Sequence, residues 1–105
     1  MYKIFIEQEF ERDFNKLDKA EQERIIKARE QLKENPYAGK PLGYEWFREK
    51  HLNGKRLYYL VYENLKAVLI VALSDKKTQQ LTINMIKLAL DKYKDKIEKT
   101  LSSTL

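Results

Sequence analysis

Residues 46–62 read Trp46-Phe47-Arg48-Glu49-Lys50-His51-Leu52-Asn53-Gly54-Lys55-Arg56-Leu57-Tyr58-Tyr59-Leu60-Val61-Tyr62, two aromatic-rich runs that meet at Asn-Gly. An Asn-Gly pair between two such runs predicts a β-hairpin with a tight turn. Side chains alternate between the two faces of a strand, so Arg48 and Lys50 share a face, and Trp46 joins them. The hairpin therefore carries a basic, aromatic surface of the kind that suits RNA.

The register of this hairpin decides where Arg56 lies. A two-residue turn at Asn53-Gly54 pairs Lys50 with Leu57 and puts Arg56 on the opposite face. A three-residue loop, Leu52-Asn53-Gly54, pairs Lys50 with Arg56 and gathers the cations on one face. Gly54 fits both alternatives, and hydrophobic patterning leaves both open.

Outward from the hairpin, the period of the apolar residues changes several times. Residues 2–6 read as a short strand, and Phe10, Phe14 and Leu17 recur at helical spacing. Asp18 with Glu21 is typical of a capping box, which predicts a second helix ending at Asn35-Pro36. We expect this helix to turn four residues inward: Ile25, Ile26, Ala28 and Leu32.

The rest of the chain is predicted to form a loop, three strands and a helix. Residues 36–43, which hold both prolines, read as a loop, and strands are expected over 44–51, 55–62 and 66–73. The third strand has no polar alternation, which predicts a central position with both faces covered. After residues 74–78 the apolar steps of three and four mark one long terminal helix reaching Leu101.

Length and charge limit the possible functions. With 105 residues the chain is one domain, residues 1–105. Residues 1–38 hold 8 basic and 9 acidic side chains, whereas residues 39–105 hold 13 and 7, and the net charge is +5. This segregation favours a polyanionic partner for the later part of the chain. With no cysteine and no membrane-length apolar run, we expect a cytoplasmic protein with no membrane partner.

Most catalytic sites are excluded by the residue inventory. The chain has one histidine, His51, and no serine in a strand-to-helix elbow, which argues against a Ser-His-Asp triad. The ligand clusters that zinc or iron require are missing, and the three glycines are too scattered for a phosphate-binding loop. We therefore expect no metal and no cofactor.

The order of the motifs resembles that of the RelE/ParE superfamily of toxin–antitoxin toxins. The resemblance rests on Gly39-Lys40-Pro41-Leu42, then Arg48-x-Lys50, then Arg56-Leu57-Tyr58-Tyr59, after a strand and a helical hairpin. It implies an α+β fold: an N-terminal strand and helical hairpin packed on a small, mainly antiparallel sheet, with a long C-terminal helix. For the RelE branch it implies a metal-independent ribonuclease that cleaves messenger RNA on the ribosome and is neutralised by an antitoxin. For the ParE branch it implies a similar fold that acts on DNA gyrase without nuclease residues.

The resemblance also implies site residues. Arg48, Lys50 and Arg56 match the basic positions of the RelE pattern, with Lys50 as the candidate general base, and Lys76 stands near the position of a further arginine. The expected catalytic set is Arg48, Lys50, Arg56 and Lys76, and the expected RNA contacts are Trp46, Lys55, Tyr58 and Lys77. This assignment needs the three-residue loop, which is therefore our prediction.

Two further expectations follow from the same pattern. Thr82 stands where the nuclease branch has a stacking tyrosine, which keeps a non-nuclease member of the family as the alternative. The terminal helix is a possible surface for homo-oligomers.

Overall fold

One mixed sheet organises the chain in a computed structural model, which describes residues 1–102. Across this sheet the strands are β1 (Lys3–Ile6), β5 (Ala67–Ser74), β4 (Lys55–Tyr62), β3 (Phe47–Leu52) and β2 (Lys40–Tyr44). β1 pairs with β5 in parallel, and the other three pairings are antiparallel. The predicted α+β class and mainly antiparallel sheet are confirmed, and the apolar strand β5 is covered on both faces as predicted, although the central strand of the five is β4.

A helical hairpin follows β1, as predicted: α1 (Gln8–Asn15) and α2 (Lys19–Glu34). The capping box at the start of α2 is confirmed, because the Asp18 carboxylate accepts from the Glu21 N–H at 2.8 Å and the Glu21 carboxylate accepts from the Asp18 N–H at 3.4 Å. The helix buries Ile25, Ala28 and Leu32, but Ile26 is 44% exposed and its predicted inward position is wrong. One residue further along a helix is a rotation of about 100°, which carries Ile26 off the buried stripe.

The region after β5 contains two helices, α3 (Gln79–Leu88) and α4 (Leu90–Ser102), where one long helix was predicted. The division falls at Ala89, whose N–H donates to the Ile86 carbonyl three residues back at 2.9 Å. No glycine or proline marks this point, so the sequence gives no local signal for it. Both helices pack on the same side of the sheet, through Ile83 and Ile86 of α3 and Ile97 of α4.

Strand β2 was not predicted, because its residues read as the end of a loop. β2 lies at the edge of the sheet, where a proline such as Pro41 is tolerated. Gly43 has a φ of 92°, and the pairing with β3 is irregular between Pro41 and Tyr44. The predicted strand over 44–51 is consequently divided, and Trp46 lies in the turn between β2 and β3 instead of on a strand face with Arg48.

The sheet is covered on both faces, with a separate core on each side. Helices α1 and α2 pack against the face that carries Leu57, Tyr59 and Val61. Helices α3 and α4 pack against the face that carries Phe47, Tyr58 and Leu60. Because apolar side chains line both faces of β4, the hydrophobic pattern could not select one hairpin register. Within residues 1–102 no helix is long and apolar enough to span a bilayer.

Candidate nucleic-acid interface

The turn of the central hairpin has two residues. Asn53 and Gly54 both have positive φ, 47° and 90°, and Leu52 pairs with Lys55. Positive φ at both central residues defines the type I′ turn, whose twist matches that of the flanking strands and which Asn-Gly adopts at low cost. The predicted three-residue loop is therefore wrong.

This register separates the cations that the prediction brought together. Lys50 is opposite Leu57 and Arg48 is opposite Tyr59, so both cations belong to the face that α1 and α2 cover. Arg56 is opposite His51 and belongs to the other face. The prediction that Arg48, Lys50 and Arg56 share one face is wrong, and the basis that it gave for a single catalytic cluster is removed.

Arg48 is buried and its guanidinium is engaged by backbone carbonyls. Its Nη2 donates to the Gly39 carbonyl at 2.7 Å and to the Tyr37 carbonyl at 3.0 Å, and its Nη1 donates to the Glu45 carbonyl at 2.8 Å. The guanidinium also lies 5.3 Å from the centre of the Tyr37 ring. These contacts fix the segment before β2 to strand β3, and they leave little of the guanidinium for a phosphate.

Arg56 forms an ion pair in a partly buried polar cluster. Its Nε lies 3.1 Å from Oε1 of Glu49, whose side chain is 8% exposed, while the Arg56 side chain is 15% exposed. Gln79, at the start of α3, donates from Nε2 to both Glu49 oxygens at 3.0 and 3.1 Å. Within residues 1–102 the two terminal nitrogens of Arg56 have no hydrogen-bond partner, so they remain available to an anion.

The remaining predicted cations lie at one end of the sheet, around the hairpin turn and the exit of β5. Lys50 and Lys55 are half-buried, and Lys76 and Lys77 are exposed. Lys55 lies 3.9 Å from the Glu21 carboxylate. Arg56 pairs with Ser74, the last residue of β5, which brings the residues that follow Ser74 next to the turn. We call Lys50, Lys55, Lys76 and Lys77 the lysine group.

The pKa of Asp75 supports this proximity. Hydrogen bonds from the Thr78 N–H and hydroxyl are the main reasons that the pKa of this carboxyl is lowered, and the positive charge of Lys55 adds to them. Lys55 on one strand and the exit of another therefore share one electrostatic environment.

The two aromatic residues predicted to contact RNA are not on the exposed surface that carries the lysine group. Tyr58 is fully buried, its hydroxyl is 2.8 Å from Oγ of Ser74, and burial raises its pKa. Trp46 lies at the opposite end of β3 from Lys50 and stacks on Tyr44, with ring centroids 4.5 Å apart. Trp46 is therefore distant from the lysine group, whereas the Tyr58 hydroxyl reaches the exit of β5 but is buried there.

Sequence reasoning missed the polar groups at that opposite end. The hydroxyls of Tyr2 and Tyr37 both donate to Oε1 of Glu63 at 2.6 Å, and Lys66 forms an ion pair with Oε2. These bonds, with that from Lys66 the strongest, lower the pKa of Glu63 to about 2. Lys66 is three residues from Glu63, but Tyr2 and Tyr37 are 61 and 26 residues away, so no local spacing could have revealed the whole cluster. No group of three potential metal ligands occurs among residues 1–102.

Comparison with solved structures identifies the architecture. The isolated RelE toxin of Escherichia coli matches with a TM-score of 0.65 and 19% identity, covering 82% of this chain and 99% of that chain. The intact E. coli RelBE toxin–antitoxin complex matches with a TM-score of 0.65 and 22% identity, covering 71% and 96%.

The chain has the RelE fold. The archaeal RelE–RelB complex from Pyrococcus horikoshii OT3 matches similarly, with a TM-score of 0.64, 22% identity and coverage of 71% and 94%. No family model and no curated protein sequence gave a match. The RelE fold was the expectation from the motif order, and it is confirmed.

Proposed function

We propose that this chain is the toxin of a toxin–antitoxin system and that it cleaves messenger RNA on the ribosome. The observation that carries the proposal is the match to RelE, alone and in complex with RelB, over nearly the whole length of those chains. The lysine group adds support, since exposed lysines around the end of a β-strand are suited to binding the phosphates of a flexible RNA chain.

The chemistry asks for three things of the protein. The 2′-hydroxyl loses a proton as its oxygen bonds to the adjacent phosphorus, the phosphorane gathers negative charge, and the 5′-oxygen takes up a proton as its bond to phosphorus breaks. We assign Lys50 as the base, the free nitrogens of Arg56 to the phosphorane, and Lys76 to the leaving oxygen or its phosphate. Because the 2′-oxygen that loses its proton attacks this same phosphorus, and Lys50 and Arg56 leave opposite faces of the hairpin, the assignment requires both long side chains to reach one phosphate at the end of the hairpin.

The remaining predicted residues take lesser roles in this proposal. Lys55 and Lys77 contact flanking phosphates, and Arg48 acts through the fold instead of on the RNA. Tyr58 and Trp46 are not assigned to base stacking, and Thr82 is half-buried on α3.

The decisive experiment is cleavage of ribosome-bound messenger RNA by purified protein, together with growth on expression. Lys50→Ala is expected to slow cleavage by about 10²-fold or more, the range for losing a general base. Lys27→Ala, which removes an exposed lysine of α2, is the matched control and is expected to retain full activity.

Arg56 needs a different variant, because removing it alone would leave the buried Glu49 carboxylate without its cation. The double variant Arg56→Gln with Glu49→Gln removes both charges, and it is expected to slow cleavage by about 10²-fold while the protein remains folded. A wild-type protein that arrests growth but leaves ribosome-bound messenger RNA intact would contradict the proposed nuclease activity. It would indicate a protein target such as DNA gyrase. If the protein neither arrests growth nor cleaves the message, the result would indicate an inactive member of the family.

The salt dependence of RNA binding tests the phosphate contacts separately from cleavage. Four phosphate contacts, by Arg56, Lys55, Lys76 and Lys77, predict that the affinity for single-stranded RNA falls with salt with a log–log slope of about −3, at about 0.7 per phosphate. A slope near zero would remove the RNA role from these residues.

The partner is an antitoxin in this proposal, as in the RelBE complexes. A short acidic reading frame next to this gene is the expected source. Co-expression of its product should restore growth.

A further inference from the structure

The ion pair between Glu49 and Arg56 uses fewer contacts than its two groups could make. A guanidinium and a carboxylate commonly form a fork of two parallel N–H···O bonds. Here Nε of Arg56 lies 3.1 Å from Oε1 of Glu49, and within residues 1–102 neither terminal nitrogen of Arg56 donates a hydrogen bond to the carboxylate. One nitrogen of the guanidinium therefore serves the pair, and two are left over.

Gln79 gives the physical reason for this geometry. Its Nε2 donates to both oxygens of Glu49, at 3.0 and 3.1 Å. A donor almost equidistant from the two oxygens lies near the bisector of the carboxylate, which is the place that the fork of an arginine would take. The amide of Gln79 thus occupies the part of the carboxylate that could otherwise bind a second nitrogen of Arg56.

The backbone holds Gln79 in this place. Gln79 is the first residue of α3 and follows a turn in which the Asp75 carboxylate accepts from the N–H and the hydroxyl of Thr78, each at 3.0 Å. The apolar face of α3 then packs onto the sheet. Gln79 is half-buried and the Glu49 side chain is 8% exposed, so their hydrogen bonds lie where little water competes with them. In such surroundings a hydrogen bond to a carboxylate is strong and its geometry is well defined.

We propose that Gln79 is a positioning residue for Arg56. By holding both oxygens of Glu49, it prevents the carboxylate from forming a fork with Arg56 and keeps the two terminal nitrogens of Arg56 free for a phosphate. Glu49 in turn orients the guanidinium through Nε alone. This inference rests on the proposed function, in which those terminal nitrogens stabilise the phosphorane, and Gln79 itself does not touch the RNA.

Gln79→Met nearly keeps the length of the side chain and removes its donors, which frees the carboxylate to turn onto Arg56. We expect cleavage of ribosome-bound messenger RNA at saturating protein to slow by about tenfold or more, because a contact made in the transition state is blocked. The protein concentration for half-saturation should change by less than about twofold, since the lysine group still binds the flanking phosphates. Gln80→Met is the matched control and should cleave at the wild-type rate, because the exposed Gln80 donates to Asn84 instead, at 2.9 Å.

An exchange of the two side chains separates geometry from stability. In the double variant Glu49→Gln with Gln79→Glu, the amide oxygen at residue 49 can accept from Arg56 while its NH₂ donates to the carboxylate at residue 79. A side-chain amide has one acceptor oxygen and cannot form the fork with arginine. We expect the rate to return to within about threefold of the wild type at unchanged net charge. If Gln79→Met does not fold, this variant carries the kinetic test, and a rate more than about tenfold below wild type overturns the proposal.

The guanidinium can also be observed without RNA. In nitrogen nuclear magnetic resonance of labelled protein, the two terminal nitrogens of a freely rotating guanidinium average into one resonance, whereas a fork with a carboxylate slows the rotation and separates them. We expect one such resonance for Arg56 in the wild type and in the exchanged variant, and two in Gln79→Met. Its signals are identified by their absence from the variant Arg56→Gln with Glu49→Gln.

Each measurement has an outcome that overturns the proposal. A wild-type rate in Gln79→Met, or a loss confined to half-saturation, would show that Gln79 only satisfies a buried carboxylate. No recovery in the exchanged variant, or a single resonance for Arg56 in Gln79→Met, would show the same. A wild-type protein that cleaves no RNA contradicts the proposed function, and the resonance of Arg56 then decides the role of Gln79 by itself.

Discussion

The two ends of strands β3 and β4 carry opposite chemistry. At the hairpin turn the lysine group offers cations that face solvent in whole or in part. At the other end Glu63 is held by two tyrosines and a lysine, and the carbonyls of Tyr37 and Gly39 are held by Arg48. One end presents charge to solvent, and the other uses charge to fix its own loops. The same two strands thus carry an exposed cationic surface and a structural network about 20 Å apart, by the rise of roughly 3.3 Å per residue over their length.

The difference between the two ends is largest for two cations of strand β3. Arg48 and Lys50 are two residues apart and on the same face, yet Arg48 is buried, whereas the Lys50 side chain makes no hydrogen bond or ion pair within residues 1–102. Position along the strand places the Arg48 side chain against the carbonyls of the segment before β2 and leaves the Lys50 side chain without a partner.

Arg48→Lys should produce the largest loss of stability. Lysine carries one nitrogen and cannot reach the carbonyls of Tyr37, Gly39 and Glu45 together, so buried acceptors lose their donors. We expect the free energy of unfolding to fall by about 3 kcal/mol in urea titration. Lys50→Ala is the control, with an expected change below about 0.5 kcal/mol. Equal effects of the two variants would erase the contrast between the ends.

The sequence predicted the helices and strands better than it predicted which face of the sheet each side chain occupies. The capping box, the helical spacing in residues 10–32 and the apolar run of β5 are local signals, and each identified its element. The hairpin register is not local, because β4 is apolar on both faces and two turns suited Asn53-Gly54 equally. Tertiary contacts decide between the two registers: helices cover both faces of the sheet, and Glu49 is held by Arg56 and Gln79. An error of one residue there moved Arg56 to the other face.

The lack of a local signal also explains why the sequence did not predict the contacts of Arg48. Its motif position marked it as a phosphate contact, but its partners are the carbonyls of a loop nine to eleven residues earlier. A sequence spacing does not show whether an arginine faces solvent or a turn of its own chain.

Gly39→Ala should test the structural end with a smaller effect. A Cβ at residue 39 would lie 2.6 Å from the Glu49 carbonyl oxygen and 2.7 Å from the Tyr59 hydroxyl. Overpacking of this kind costs typically 1–3 kcal/mol, and we expect about 2 kcal/mol by the same urea titration. Tyr59→Phe removes one of the two contacts but not the carbonyl, so the double variant should not recover the loss. Full recovery would mean that the tyrosine alone makes the glycine necessary.

The smallest effect should come from Glu63, and its dependence on pH identifies it. Hydrogen bonds from Lys66, Tyr2 and Tyr37 lower the pKa of Glu63 from 4.5 to about 2, so the folded state favours the ionised carboxylate. The stabilisation is complete above pH 4.5, where the unfolded chain is also ionised, and it is lost as pH falls through about 2. Thermal unfolding of wild type and Glu63→Gln should therefore give a difference in Tm that is constant near neutrality and closes between about pH 4.5 and 2. A difference that stays constant down to pH 2 would show that the ion pair and the two tyrosine hydroxyls do not hold the structural end together through charge.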